Sequence, residues 1–360
     1  MDAPTQILQV RGLSRTFANG LVKAVDDIDL DVSRGEIVSI LGPSGCGKTT
    51  TMRMIAGLET PTAGSIRLMG REITGLPPYK RNVGLVFQSF AIFPHMNVSQ
   101  NVAFGLRMQR LADEVISAKV TAALDLVQLP VGKFGRRRPN ELSGGQLQRV
   151  ALARTLVTEP ALVLFDEPMA ALDRRLRDHM AVELRAIQKQ LGIAAIYVTH
   201  DQESASMMSD RIVIMNAGRI LQDGTPEEIY LQPTNRFVSE FLGDANVLAI
   251  EQVLEIVDAK ARVRLRGGVD LWASFSSNVE PGMFVVIRPE HAVVHVADPG
   301  NAIEGTVDSA QFRNGLHRWH VTVPGGDVLM AQTTSGPCGP AIGARVWVAA
   351  DPSKSRVVDP

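Results

Sequence analysis

Residues 37–51, IVSILGPSGCGKTTT, constrain this chain more than any other stretch. Ile37, Val38, Ile40 and Leu41 form a short apolar run rich in β-branched residues, which predicts a buried strand. The run stops at Gly42 and a helix is expected from Lys48. Between them Gly42, Gly45, Gly47, Lys48 and Thr49 match the G-x-x-x-x-G-K-[ST] pattern of a P-loop. Glycines allow successive backbone N–H groups to turn inward as an anion nest, and the following helix adds its positive end. Lys48 is then placed to reach β- and γ-phosphates, and the Thr49 hydroxyl to coordinate Mg²⁺.

A length of 360 residues predicts two or three domains. The formal net charge of −1 gives no electrostatic reason to expect nucleic-acid binding over the whole surface. Cys46 and Cys338 lie far apart and form neither a disulfide framework nor a metal spacing, so a reducing compartment is expected. Cys46 fills a variable position of the P-loop. The first ten residues lack the pattern of a signal peptide, and no apolar run reaches the roughly 18 residues of a spanning helix. A cytoplasmic chain that meets a membrane only through other subunits is expected.

Early strands are predicted at 8–10 and 25–32, with Phe17 in the polar stretch between them, placed either as a core anchor or against a nucleobase. Further strands are expected at 66–69 and 83–87, the second delivering Gln88 to its end. Helical spacing from about 98 to 131 predicts a helical insert. Ser143 is a good N-cap for a helix opening with Gly144, Gly145 and Gln146, a second anion-binding terminus. The apolar strand 161–165 ends in Asp166 and Glu167, adjacent carboxylates that are costly unless they hold a metal or act as a base. The strand 194–199 ends at His200, on the carboxyl edge of the sheet where open α/β folds put their ligands.

Taken together, these motifs resemble an ATP-binding cassette (ABC) ATPase. The P-loop, the glutamine Gln88, the LSGGQ signature at 142–146, the acidic strand end Asp166–Glu167, the Ala171-Leu172-Asp173 loop and His200 occur in that family's order. The resemblance implies an α/β P-loop NTPase core with a helical subdomain at about 90–155, and a head-to-tail homodimer with two ATP molecules between protomers. Gly42, Pro43, Ser44, Gly45, Cys46, Gly47, Lys48, Thr49 and Thr50 would hold ATP, with Phe17 against the adenine. Thr49, Gln88 and Asp166 would hold Mg²⁺, while Glu167, His200, Lys48 and Gln88 would serve hydrolysis. Ser143 and Gly145 would come from the second protomer, with Gly144, Gln146 and Asp173 also among the nucleotide contacts. Ala170 stands where the family commonly has serine.

The stretch around Gln88 is similar to the importer branch that handles polyamines, ferric iron, sulfate and sugars, and most resembles the spermidine/putrescine type, with ferric iron, sulfate, sugar or phosphonate as the alternative solutes. This implies docking to integral membrane permease subunits through residues such as Phe90, Phe93, Pro94, His95 and Met96. It also implies an indirect link to an extracytoplasmic solute-binding protein. The rival class is a soluble cassette acting on ribosomes or DNA, which would carry a second cassette or a long coiled-coil insertion; the sequence has neither.

The expected cassette is 1–242. Beyond it, short alternating segments punctuated by glycine and proline predict a small all-β domain over 243–360. His317, Trp319, Val321 and Val323 share one face there, an expected barrel-interior stripe. IRPE at 287–290 resembles the oligonucleotide/oligosaccharide-fold regulatory domain of these importers. No basic-aromatic cluster supports nucleic-acid binding by that barrel.

Overall fold

The computed structural model describes residues 6–17, 20–169, 173–276, 278–334 and 339–360. Its contacts group the chain into two compact units, Met1–Pro226 and Glu227–Pro360.

In the first unit, β1 (Gln6–Phe17) and β2 (Val22–Ser33) pair antiparallel, then β3 (Ile37–Leu41) leads to α1 (Lys48–Ala56). Next come β4 (Ala63–Leu68), β5 (Arg71–Glu72) and β6 (Val83–Val86), then α2 (Val98–Met108), α3 (Asp113–Leu126), α4 (Val131–Phe134) and α5 (Gly144–Leu156). The unit ends with β7 (Leu162–Asp166), α6 (Arg174–Leu191), β8 (Ala194–Val198), α7 (Gln202–Met208), β9 (Arg211–Asn216) and β10 (Arg219–Gly224).

The strands form two sheets. One is antiparallel, in the order β2-β1-β4-β5, and the other runs β10-β9-β3-β8-β7-β6, parallel except at β10. A parallel strand covered on both faces must be apolar throughout rather than alternating. All residues of β3 and β8 are accordingly buried, as are the first four of β7. Each such Val, Ile or Leu contributes about 2 kcal/mol by leaving water. Ser39 is the polar exception in β3, and its hydroxyl hydrogen-bonds that of Ser209. Between β6 and β7 the chain departs into α2–α5, whose apolar faces share one core with Val86, Val163 and Phe165.

The second unit takes in α8 (Pro226–Leu231), of which all but Pro226 belongs here, and α9 (Arg236–Phe241), followed by strands only. These are β11 (Asn246–Val257), β12 (Lys260–Leu265), β13 (Asp270–Ser274), β14 (Phe284–Ile287), β15 (Ala292–His295), β16 (Ala302–Arg313), β17 (Leu316–Thr322), β18 (Val328–Thr334), β19 (Arg345–Ala350) and β20 (Ser355–Val358). β11, β12, β13, β20 and β14 close as a barrel, and the others form an open sheet in the order β15-β19-β16-β17-β18. Of the expected stripe Trp319 and Val321 are buried, but in this open sheet rather than inside the barrel, His317 is half-buried, and Val323 is buried just beyond the end of β17.

The units divide after Pro226, earlier than the sequence suggests, because α9 is tied to the barrel. Arg288 donates to the carbonyls of Tyr230 (3.1 Å) and Ser239 (2.9 Å), and Asn235 bridges to Asp359. Among the described residues no helix is long and apolar enough to cross a membrane.

Candidate nucleotide site

The order β3-β8-β7-β6 places four parallel strand ends side by side. At neighbouring spacings of about 4.8 Å, they deliver the P-loop, His200, the Asp166–Glu167 pair and Gln88 along one edge. The crevice beyond the carboxyl ends is where such sheets bind ligands.

The P-loop is built as a cradle. Gly42 cannot be replaced, since a Cβ there would run into the Met215 carbonyl and the Cys46 sulfur. Gly47 caps α1 at φ 109°, a left-handed conformation, and a Cβ there would meet the Ala24 carbonyl. Ser44 and Gly45 stay exposed at the mouth, Pro43, Thr49 and Thr50 are half-buried, and the Cys46 side chain turns into the core at 3% exposure. Lys48 is 7% exposed and its ammonium crosses the loop, donating to the carbonyls of Gly42 (2.7 Å) and Pro43 (3.0 Å). An ammonium over a ring of backbone N–H groups at a helix N-terminus suits a polyphosphate.

Asp166 ends β7 half-buried, and no hydrogen bond reaches its carboxylate among the described residues. Burial pushes it above the ordinary carboxylate range, Arg53 opposes the rise and Glu167 adds to it. A divalent cation would reverse that balance. Thr49 and Asp166 are few ligands, but Mg²⁺ beside phosphates keeps several waters and needs only one or two protein oxygens. The residues present therefore fit Mg²⁺ with a nucleotide.

Glu167 adopts φ 44°, unusual for a residue with a side chain, and its N–H donates to the Val198 carbonyl at 3.0 Å. The strained turn thus breaks the extended backbone directly after β7 ends at Asp166. His200 Nδ1 lies 3.1 Å from a Glu167 oxygen. An ionised carboxylate only accepts, so this contact is a hydrogen bond in the tautomer that carries its hydrogen on Nδ1. The residue after His200, Asp201, caps α7 and receives Arg177 of α6 at 2.6 Å. Its own N–H donates to the Thr199 hydroxyl at 2.9 Å. The histidine is thus pinned from both chain directions. That pair escaped the sequence reading.

Gln88 is exposed in the turn after β6, which ends at Val86 rather than Phe87. Phe90 and Ala91 follow with φ of 60° and 48°, and Arg154 of α5 donates to both carbonyls, at 3.0 and 2.6 Å. Phe17 is the last residue of β1, 36% exposed, with the Arg15 guanidinium 4.5 Å from its ring centre. Ser143 caps α5 in a reciprocal box with Gln146 (Ser143 N to Gln146 Oε1, 3.0 Å), leaving Gly144 exposed and Gly145 half-buried. No hydrogen bond joins this helix start to the P-loop among the described residues, and α5 packs instead on α2, α3 and β6. Asp173 caps α6 through the Leu176 N–H at 3.0 Å. Ala170, Ala171 and Leu172 lie outside the described residues, as does Cys338.

The family model for the ABC transporter matches residues 25–170, and that for the TOBE domain matches 285–358. The chain is 42% identical over 360 residues, 98% of its length and 93% of the relative's, to the spermidine/putrescine import ATP-binding protein PotA of Thermobifida fusca. It is 46% identical over 311 residues to the protein of the same name from Salmonella typhimurium, covering 86% of this chain and 81% of that one. A solved ATP-binding cassette, dimeric in a post-hydrolysis state with ADP and Pi, covers 61% of this chain and 99% of its own at TM-score 0.54 and 29% identity. With a cradle for phosphates on one strand end and carboxylates on another, the chain belongs to the ABC transporter family, as an ATP-binding, ATP-hydrolysing subunit.

Proposed function

We propose that this chain is the ATPase of a polyamine importer. It works as a homodimer on the cytoplasmic face of the inner membrane, against integral permease subunits that receive solute from an extracytoplasmic binding protein. The observation that carries the reading is the set of neighbouring strand ends holding the P-loop, His200, Glu167 and Gln88, in a chain 42% identical to a relative named for spermidine/putrescine import.

In this reading Lys48 and the P-loop N–H groups bind the β- and γ-phosphates, and Phe17 stacks on the adenine. Glu167, aimed by His200, takes the proton of the attacking water, and Gln88 orients that water. Mg²⁺ held by Thr49, Asp166 and Gln88 would neutralise charge on the phosphates. Ser143 and Gly145 of a second copy close the site with the α5 N-terminus, supported by Gly144, Gln146 and Asp173. A second helix terminus is useful only from the opposite side, so closure depends on the γ-phosphate and is released by hydrolysis. The permease meets the segment after Gln88, where Pro94 and His95 are exposed and Asn101 fixes the turn from below.

The test is a pull-down of tagged Glu167→Gln protein with ATP from solubilised membranes, followed by ATP turnover of the captured partners reconstituted with wild-type protein. A multi-span permease and turnover raised by spermidine support the reading. Ribosomes in its place remove the transport role, and stimulation by sulfate, iron or a sugar alone removes the polyamine.

A further inference from the structure

Positive charge is concentrated at one place in the second unit that the nucleotide site does not use. A cavity of about 270 Å³ is lined by Tyr230, Arg288, His291, Ser353, Lys354 and Arg356, and among the described residues no carboxylate lines it. Arg288 is 3% exposed and donates to the carbonyls of Tyr230, Ser239 and Asp244, which anchor it there as a fixed charge.

Arg356 is different. It extends from β20 between the buried residues Ser355 and Val357, half-buried itself. No hydrogen bond or ion pair reaches its side chain among the described residues. A guanidinium taken from water without a partner is costly unless something pairs with it. His291 adds a buried Nδ1 that also has no hydrogen-bond partner. The nearby carboxylates are engaged elsewhere: Glu290 accepts from the Tyr230 hydroxyl at 2.6 Å, and Asp351 from the Ser353 N–H and hydroxyl at 2.9 and 2.7 Å.

We propose that this cavity binds a phosphate-sized dianion, either inorganic phosphate or the terminal group of a phosphomonoester. The Arg356 fork supplies paired N–H donors, and Lys354 and His291 complete the shell. The ligand compensates charges that the fold leaves unpaired, and its natural effect is on the β unit rather than on the P-loop.

The test is calorimetric titration of inorganic phosphate into the full-length protein with the P-loop saturated by ADP, beside Arg356→Gln and Lys354→Gln. Among the described residues neither side chain has a hydrogen-bond partner, so both variants should melt no lower than the wild type. The expected result is one saturable site in the wild type, weakened about tenfold or more in each variant, with the imidazole resonance assigned through His291→Gln shifting on titration. Tighter binding of glycerol phosphate than of inorganic phosphate assigns a monoester, and the reverse assigns the free ion. No saturation at millimolar phosphate, or binding unchanged in both variants, overturns the site.

Discussion

His200 Nδ1 stands 3.1 Å from the Glu167 carboxylate, across the adjacent ends of β8 and β7. The two residues are set by different devices: Glu167 by a backbone turn at φ 44°, His200 by neighbours anchored to Thr199 and Arg177. Their separation is therefore a property of the sheet edge rather than of either side chain. His200→Ala should lower kcat for ATP by about a hundredfold with KM nearly unchanged, since misplacing a base by about 1 Å costs that much. Steady-state kinetics at saturating ATP checks it.

Arg177→Met should act on the same geometry from further away. It leaves every proposed ATP contact in place and removes the hydrogen bond to Asp201, which follows the histidine. A fall in kcat of about tenfold with unchanged KM is expected, and Arg177→Lys should recover part of it. A rise in KM alone would show that the arginine serves binding instead.

Acid should weaken this corner of the fold. Burial alone would push Asp201 up, but hydrogen bonds from Arg177 and Ser204 outweigh it and hold the carboxyl below the usual range. Asp210 behaves alike: burial raises it, and Arg185 and the Ile37 N–H bring it down further. A depressed folded-state value means stability that is full above the ordinary carboxylate pKa of about 4 and is lost as pH falls through the folded value. Unfolding midpoints of wild type and Asp201→Asn, measured downward from pH 6, should converge below that value.

Arg81 is 3% exposed and donates to the carbonyls of Thr74 (2.7 Å), Leu76 (2.7 Å), Met54 (2.7 Å) and Ile55 (3.0 Å), closing the C-terminal end of α1. Arg81→Met orphans those acceptors at a cost of about 3 kcal/mol. Melting should fall by roughly 6 to 12 °C.

Asn101 is fully buried and binds the Phe93 N–H and the carbonyls of Phe93, Met96 and Asn97. Asn101→Ala should cost about 2 kcal/mol and raise amide exchange at 93–97 well above that of α2. Unchanged protection there would mean that the segment is held by the Phe93–Phe104 ring contact instead.

The carboxyl edge of the parallel sheet was legible because buried parallel strands read as unbroken apolar runs, and each ends in a residue type that is odd for its place. IVSIL, LVLFD and AAIYV needed no tertiary information. Arg81 and the Arg177–Asp201 pair were not legible. Backbone carbonyls as partners leave no trace in sequence, and a pair 24 residues apart on two elements has no periodicity. The strand β11 leaves no clean alternation in the sequence, since its pairing with β12 carries register shifts. The Trp319 stripe was readable as an inward face, but alternation alone does not say whether its sheet closes. The β-unit boundary moved for the same reason as Arg81, since Arg288 ties α8 and α9 to the barrel through carbonyls.

The central claim is that Glu167 is the base at this sheet edge, and Glu167→Gln measures it most directly. Single-turnover hydrolysis of bound ATP should fall by about 10³-fold, with ATP affinity retained and a dimer holding two nucleotides accumulating in sedimentation runs. Hydrolysis at the wild-type rate with no trapped dimer would contradict the account.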